Sequence, residues 1–161
     1  MELPIINHPD YVAKINDDNK FPIKKFGALA DHLLKEEVVK KFHIPKECSV
    51  GTMRTSHSLE YINAIKNKTL DIKAQKKIGF PINDSVVRRS FVATGGTVLA
   101  SKLALDSKLA CNTAGGSHHA TFNFGAGYCV FNDTAVAANY LKNRGYAKKI
   151  LILDLDVHQG N

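Results

Sequence analysis

The sequence feature that most restricts the fold is an unbroken aliphatic run at residues 150–153, followed at once by alternating polar side chains. The run, Ile-Leu-Ile-Leu, comes after two lysines and is typical of a parallel β-strand covered on both faces. Asp154, Asp156 and His158 then occupy every second position. Because side chains alternate in extended backbone, these three are predicted to share one face of the strand.

This alternation also indicates a chemistry. Two neighbouring buried carboxylates are costly unless a cation or hydrogen-bond donors neutralise them. Carboxylate oxygen and imidazole nitrogen are ligands that zinc accepts. An isolated Asp-x-Asp at a strand end is also typical of loop capping, or of phosphate and magnesium chemistry. The longer sequence Asp-Leu-Asp-Val-His-Gln-Gly-Asn at residues 154–161 is narrower, and it favours a metal role for Asp156 and His158 over a structural one.

A second polar cluster lies at residues 115–119, Gly-Gly-Ser-His-His, after a strand-like run at residues 109–113. Ligands of open α/β sheets bind outside the carboxyl ends of the strands, so the two clusters are expected to converge. On a loop that follows two glycines, His118 and His119 can line one cavity from different angles. A carboxylate beside an imidazole orients it and raises its basicity, as a general base requires, and Asp154 is a candidate for this.

Three motifs together resemble the histone deacetylase superfamily, which includes the acetoin-utilisation and acetylpolyamine deacetylases. They are residues 115–119, residues 127–133 (Gly-Tyr-Cys-Val-Phe-Asn-Asp) and residues 154–161. The likeness extends over nearly the whole chain and is greatest to bacterial members related to the class IV deacetylases. It implies an α/β fold, the three-layer α/β/α sandwich of the arginase-deacetylase type with a parallel sheet. Residues 1–161 would be the N-terminal part of that domain, truncated and without a second domain.

The resemblance also implies roles for the polar residues. Asp156 and His158 look like two of three zinc ligands, and His119 like the general base that activates the zinc-bound water. His118 looks like its partner imidazole, hydrogen-bonded to Asp154, which would also help to hold a monovalent cation. Bound zinc would polarise the amide carbonyl and lower the pKa of its water to about 7.

Substrate contacts and departures from the family pattern follow from the same likeness. Gly127 and Tyr128 match the wall of a narrow acyl-lysine tunnel. Asn161 stands where many members carry an Asp behind the second histidine, so the orienting group is neutral here, and Gln159 replaces a second His. Residues 79–82 lack the Asp that histone-directed members use to hold the substrate backbone, which disfavours a histone substrate.

The leading functional prediction is zinc-dependent hydrolysis of an acetylated amine, either acetyl-lysine or an acetylpolyamine. One alternative is phosphoryl transfer, with Asp154 as nucleophile and bound magnesium, which leaves the two histidines unexplained. Another is a non-catalytic remnant or binding partner. The family's third ligand and its transition-state tyrosine come from later segments. The 161-residue chain alone is therefore expected to be inactive, and poorly soluble or dependent on a second polypeptide.

Composition and charge indicate the class of protein and its cellular environment. Hydrophobic residues make up 44% and charged residues 23%, ordinary values for a globular domain of this length. The net charge of +7 comes from scattered lysines and short pairs such as Arg88-Arg89, so solvated faces explain it better than a nucleic-acid surface. Three widely spaced cysteines predict reduced thiols and a cytoplasmic protein. No apolar run has membrane-spanning length and no signal peptide is recognised, so no membrane partner is expected.

Hydrophobic periodicity and the positions of capping and helix-breaking residues predict the helices and strands. Helices are expected at residues 26–41, 55–66, 83–105 and 133–143, and strands at residues 109–113 and 150–155, after a loop at residues 1–22. Gly95 and Gly96 interrupt the third helix, and close packing of a neighbouring backbone explains them better than a phosphate loop does. His57 is predicted to be a structural or rim residue.

Overall fold

A single long helix organises the computed structural model, which describes residues 3–161. The helices in chain order are α1 (Lys25–Lys35), α2 (Val50–Met53), α3 (Leu59–Lys66), α4 (Ile72–Ile78), α5 (Asp84–Ser107) and α6 (Asp133–Asn143). The strands are β1 (Ile5–Ile6) and β2 (Cys111–Asn112), and a 3-10 turn occupies Pro9–Tyr11. None of the helices in this described part of the chain is both long enough and apolar enough to cross a membrane.

Helix α5 is the central element. It starts where the side chain of Asn83 accepts a hydrogen bond from the Val86 amide, and it ends at Lys108 with a left-handed φ of 69°. Residues 89–96 of this helix are all buried, and the helix contacts α6, the 3-10 turn and both strands. The predicted helix at residues 83–105 is therefore confirmed, with Asn83 as its cap and the helix itself extending to Ser107.

The two glycines of α5 lie against neighbouring groups. A Cβ on Gly95 would come 2.0 Å from the carbonyl oxygen of Lys46, and one on Gly96 would come 2.1 Å from the hydroxyl of Tyr11. Glycine within a helix costs about 1 kcal/mol relative to alanine, and this close approach is what requires it. The packing explanation is confirmed, and the pair does not form a phosphate loop.

The two strands pair in parallel, with Ile5 opposite Cys111 and Ile6 opposite Asn112. Strand β2 is shorter than the predicted run at residues 109–113, although Thr113 still donates its amide to the Ile6 carbonyl at 3.0 Å. Helices around a small parallel sheet agree with the predicted α/β class. Strand β1 and the buried Tyr11 lie within residues 1–22, which were predicted to be a loop. The strand was missed because two residues are too few to show a periodic pattern.

The predicted buried strand at residues 150–155 is wrong. No strand is assigned there, and the side chains of Leu151, Leu153 and Leu155 are 88%, 76% and 86% exposed. An aliphatic run forms a strand only when neighbouring strands pair with its backbone, and no described segment pairs with this one. The alternation of apolar and polar side chains is therefore present without the sheet that was expected to explain it.

Three helix predictions also need correction. The helix predicted at residues 26–41 ends at Lys35, where the chain turns through Glu37 with a φ of 54°. The helix predicted at residues 55–66 starts only at Leu59, with Ser58 as its cap, and the four-residue helix α2 before it was not predicted. Helix α4 was not predicted, although Asp71 caps it by accepting from the Ala74 amide at 2.7 Å. The bounds predicted for α6 are those observed.

Candidate functional site

Two adjacent imidazoles form the centre of the site. His118 Nδ1 lies 2.7 Å from Asp154 Oδ2, and His119 Nδ1 lies 3.1 Å from Asn161 Oδ1. The two ring centroids are 4.2 Å apart. The amide of Asn161 also donates to the carbonyl of His118 at 3.1 Å, so the two polar clusters converge as predicted.

These contacts determine which ring nitrogens are free. An ionised carboxylate and an amide oxygen only accept hydrogen bonds, so each Nδ1 carries the proton when its ring is neutral. The Nε2 atom of each ring is then an acceptor. His118 Nε2 is 4.0 Å from Asp156 Oδ1, whereas the ring of His119 faces that of His158 with centroids 6.1 Å apart.

The alternating residues that follow form successive side-chain turns. Asp154 Oδ1 accepts from the amide of Asp156 at 3.0 Å, and Asp156 Oδ1 accepts from the amide of His158 at 2.7 Å. The backbone bond from Asp156, followed by the bond from His118, lowers the pKa of Asp154 below its usual value. The amide and then the ring of His158 lower the pKa of Asp156 in the same way. Both carboxylates are therefore ionised near neutral pH.

Asp156 and His158 also offer a pair of metal-ligand atoms. Asp156 Oδ1 and His158 Nδ1 are 2.9 Å apart. Two ligands at zinc bond lengths, seen at a tetrahedral angle, lie about 3.3 Å apart, so the pair fits two positions on one ion after a small adjustment. Within residues 3–161, however, no three His, Cys, Asp or Glu side chains are grouped closely enough to hold a metal. The described residues do not complete a zinc site.

A cavity of about 390 Å³ adjoins these groups. It is lined by residues 115–119 and 127–129, by Asp156 and His158, and by Phe21, Lys25, Phe26 and Arg89. A larger cavity of about 540 Å³ follows residues 12–25 and contains none of the predicted site residues. The smaller cavity is therefore the one that the chemistry of the site can use.

The predicted substrate residues border this cavity. Tyr128 has a left-handed φ of 65°, which a bulky residue rarely adopts. Its ring lies 5.0 Å from that of Phe21 and 5.3 Å from that of Phe80, between centroids. Its amide donates to the carbonyl of Ile78 at 2.7 Å. Aromatic packing and this bond hold the strained residue at the cavity wall.

Arg89 is a cavity residue that the sequence did not indicate. The prediction that Arg88-Arg89 lies on a solvated face is wrong for Arg89, which is only 8% exposed. Its Nε donates to the carbonyl of Tyr11 at 3.0 Å, and its guanidinium lies 4.8 Å from the ring centroid of Phe26. Burial lowers the pKa of Arg89 to about 10. Arg88, by contrast, is exposed and bonds Asp10 and Glu47.

Three further polar residues, none of them predicted as site residues, are buried or half-buried behind the histidine loop. His57, 1% exposed, contacts the carbonyl of Thr121 through Nδ1 at 2.8 Å. Asp133, also 1% exposed, accepts from the amide of Ser117 at 2.9 Å, and Asn132 bonds the same region. His57 is therefore a structural residue, which was one of the two roles predicted for it. Asn132 and Asp133 belong to a recognised motif, but no sequence pattern showed what they contact.

The fold and the site define an α/β protein whose paired histidines face a convergent cluster of Asp, Asn and His. A sequence profile of the histone deacetylase domain matches residues 20–161, and the chain belongs to the histone deacetylase family. An uncharacterized protein of Picosynechococcus sp. is 43% identical over 163 residues, which cover 100% of this chain and 54% of that protein. The acetoin utilization protein AcuC of Staphylococcus aureus (strain COL) is 30% identical over 144 residues, covering 82% of this chain and 35% of AcuC.

Solved structures give the same fold. A histone deacetylase homologue from Aquifex aeolicus superimposes with a TM-score of 0.72 at 24% identity, over 91% of this chain and 42% of that one. The HDA15 HD domain superimposes with a TM-score of 0.84 at 20% identity, over 100% of this chain and 48% of that one. The chain therefore spans between about a third and about half of the length of the relatives it matches.

Proposed function

We propose that this chain provides the histidine-pair side of a deacetylase site that hydrolyses acetylated amines, such as acetyl-lysine or acetylpolyamines. One observation carries the proposal. Both imidazoles have Nδ1 engaged by an oxygen acceptor, and both line the cavity next to Asp156 and His158. This arrangement leaves two oriented basic nitrogens at the edge of a metal-ligand pair, which is what activation of a water molecule requires.

The two imidazoles have different partners and hence different roles. His119 is the proposed general base, because its Nδ1 contacts the neutral amide of Asn161 and its Nε2 is left as an acceptor. His118 Nδ1 pairs instead with the carboxylate of Asp154, which fixes the orientation of that ring beside the base. His118 is therefore proposed as the partner imidazole, while His119 accepts the proton of the water. Asn161 orients His119 without adding charge.

The cavity wall fits a slender acyl-amine substrate. Gly127 has no side chain to narrow the cavity, and Tyr128 presents an aromatic ring next to those of Phe21 and Phe80. Methylene groups of a lysine or polyamine chain pack favourably on such rings. The carbonyl of the acetyl group would then lie near His118 and His119, which line the same cavity.

The proposal includes a zinc ion, for which this chain supplies only some of the ligands. Asp156 and His158 would contribute two ligands to zinc, and the third would come from polypeptide beyond the described residues, either a further segment or a second chain. A monovalent cation near Asp154 is a further part of the proposal. Activity of residues 1–161 alone is accordingly not expected, and neither is a stoichiometric zinc content.

The phosphoryl-transfer alternative has less support. Both oxygens of Asp154 are already engaged, Oδ1 by the Asp156 amide and Oδ2 by His118, and a nucleophilic Asp154 would leave the two imidazoles without a role. A non-catalytic role would not require both imidazoles to be oriented towards one cavity. Both alternatives remain outcomes of the test below.

The test is a chimaera in which residues 1–161 replace the matching segment of the Picosynechococcus protein, which aligns with this whole chain. The purified chimaera is assayed with zinc on acetyl-lysine peptides, acetylpolyamines and a generic phosphomonoester. Amide hydrolysis is expected, with a loss of about 10²–10⁴-fold in His119→Ala. His32→Ala, which changes a surface histidine of α1, is the matched control and should retain full activity.

Two results would contradict the proposal. Phosphatase turnover without amide hydrolysis would favour the Asp-x-Asp alternative, and a folded, zinc-loaded chimaera without either activity would favour the non-catalytic one. The 161-residue chain is assayed in parallel with its metal content. Stoichiometric zinc and turnover that His119→Ala abolishes in the chain alone would disprove the requirement for further polypeptide.

A further inference from the structure

Helices α5 and α6 begin with the same dipeptide, Asn-Asp. Asn83 accepts from the amide of Val86 at 2.9 Å, and Asn132 accepts from the amide of Ala135 at 2.9 Å. An asparagine cap and an acidic residue in the first turn are both favourable at a helix N-terminus. Capping therefore accounts for both dipeptides equally, and any difference between them needs another explanation.

The two acidic residues have very different surroundings. The side chain of Asp84 is 90% exposed and contacts Lys68. Asp133 is 1% exposed and accepts three hydrogen bonds, from Thr97 Oγ1 at 2.5 Å, the Gly116 amide at 3.2 Å and the Ser117 amide at 2.9 Å. Burying a carboxylate is costly unless donors surround it, so these three bonds are what keeps Asp133 in place.

The asparagine before it holds the other side of the histidine pair. Asn132 Nδ2 donates to the carbonyl of Ala120 at 3.2 Å, and the Asn132 amide donates to His57 Nε2 at 2.9 Å. His57 Nδ1 in turn donates to the carbonyl of Thr121 at 2.8 Å. Residues 116–117 and 120–121 are thus both tied to the start of α6, with His118 and His119 between them.

We propose that Asn132 and Asp133 are positioning residues that determine how His118 and His119 present their imidazoles. Adjacent side chains on regular backbone point to opposite sides, yet these two rings have centroids only 4.2 Å apart. The loop must hold an irregular conformation to achieve this, and the start of α6 bonds it on both sides. The importance of the imidazoles rests on the proposed function, but the positioning itself does not.

The chemistry at Asp133 requires a carboxylate. Both of its oxygens face donors, and a Cβ on Gly115 would come 2.4 Å from Oδ2, so the loop packs directly against it. An asparagine has the same shape but turns one acceptor into an NH₂ donor. In Asp133→Asn that donor would face either the Ser117 amide or the Gly116 amide and Thr97 hydroxyl. At least one of the three bonds is lost.

The experiment uses the ¹⁵N-labelled 161-residue chain and compares Asp133→Asn with Asp84→Asn. Both changes remove a charge from the first turn of a helix that follows an asparagine cap, so helix-dipole effects are matched. Amide hydrogen exchange is expected to accelerate about tenfold or more in Asp133→Asn at whichever of Gly116 and Ser117 faces the new NH₂ group, since its bond to a charged acceptor is lost. The imidazole ¹⁵N resonances of His118 and His119 should shift as well. Asp84→Asn should change neither.

A second pair of variants decides the matter if Asp133→Asn does not fold. Asn132→Ser and Asn83→Ser both retain a good helix cap, but only Asn132→Ser removes a bond to the histidine loop, at Ala120. The imidazole resonances of His119 should shift in Asn132→Ser and remain unchanged in Asn83→Ser.

Unchanged imidazole resonances in a folded Asp133→Asn or Asn132→Ser variant would overturn the proposal. So would exchange that accelerates equally at Gly116 and at the buried Val136 and Ile62, because this would indicate general destabilisation. Neither measurement depends on turnover. A failed deacetylase assay and a failed positioning test can therefore be told apart.

Discussion

Gly127 lies directly against the imidazole of His119, and a Cβ added to Gly127 would come 2.6 Å from Cδ2 of that ring. The predicted substrate residue is therefore also a packing partner of the proposed base. Since Gly127 has a φ of 51°, two independent constraints require glycine at this position. One comes from the backbone conformation and the other from the neighbouring ring.

Gly127→Ala is expected to displace the His119 imidazole and to lower the free energy of unfolding by about 1–2 kcal/mol through the backbone conformation. Gly145→Ala is the matched control, because Gly145 has a φ of 72° and no atom within 4 Å of an added Cβ. Both variants should lose stability in urea titrations, Gly127→Ala at least as much as Gly145→Ala. Only Gly127→Ala should shift the imidazole resonances of His119, and a shift in both variants would contradict this contact.

Gly96→Ala is expected to destabilise the fold although alanine favours helices. The added Cβ would meet the Tyr11 hydroxyl at 2.1 Å, and overpacking of this kind costs about 1–3 kcal/mol. Gly51→Ala in α2 is the control, because its Cβ would have only Ser49 Oγ within reach, at 3.9 Å. Thermal unfolding should show a lower midpoint for Gly96→Ala and an unchanged or higher one for Gly51→Ala. Equal midpoints would show that helix propensity alone decides both positions.

The stability of the fold should depend on pH through His57. Burial lowers the pKa of His57 below its usual value, so between that usual value of about 6.5 and the lowered one the unfolded chain binds the proton and the folded chain does not. Stability is fully present above pH 6.5 and falls as the pH drops through this window. The slope contributed by one such group is at most about 1.4 kcal/mol per pH unit.

Urea unfolding of the chain and of His57→Gln at several pH values between 7.5 and 5 measures this contribution. The variant should be less stable at pH 7.5, because the bonds to Thr121 and Asn132 are altered, and its stability should fall less steeply on acidification. The exposed His32→Gln serves as the control and should retain the original slope. Identical slopes in all three proteins would show that His57 is not the titrating group.

Only one of the three cysteines should react rapidly with a thiol reagent. Cys111 is exposed, whereas Cys48 and Cys129 are buried, and burial raises the pKa of Cys48 to about 12 and also raises that of Cys129. The thiolate is the reactive form. Both buried thiols should therefore react slowly, because the reagent does not reach them and because their raised pKa leaves little thiolate. A colorimetric titration at pH 8 should find one fast thiol in the native chain and three in denaturant. Cys111→Ser should abolish the fast phase, and a remaining fast thiol would contradict the burial.

The exposed apolar segment at residues 150–157 should promote self-association. The side chains of Leu151, Leu155 and Val157 are 86–91% exposed, and exposed apolar surface of this kind is an aggregation liability. Leu155→Lys is expected to lower the weight-average mass measured by sedimentation at a fixed concentration. Ile72→Lys, at a 71% exposed position on α4, is the control. A concentration-independent monomer mass for the unmodified chain would contradict the prediction.

Much of the site could be predicted because its motifs are local. The two histidines, the alternating Asp154, Asp156 and His158, and the Gly127-Tyr128 pair each occupy a few consecutive positions, and the family resemblance relates them to one another. The contacts of His118 with Asp154 and of His119 with Asn161 agree with that prediction. The roles of these residues in catalysis and metal binding are still predictions.

The sequence by itself determined the family, the α/β class and the bounds of α6, because caps and periodicity act within a few residues of one another. Only the tertiary structure decided which of two like residues is buried. Arg89 and Asp133 are internal while Arg88 and Asp84 face solvent, because burial depends on what packs from distant parts of the chain. The same reason explains residues 150–155, whose aliphatic pattern is that of a strand but whose backbone has no paired neighbour among the described residues.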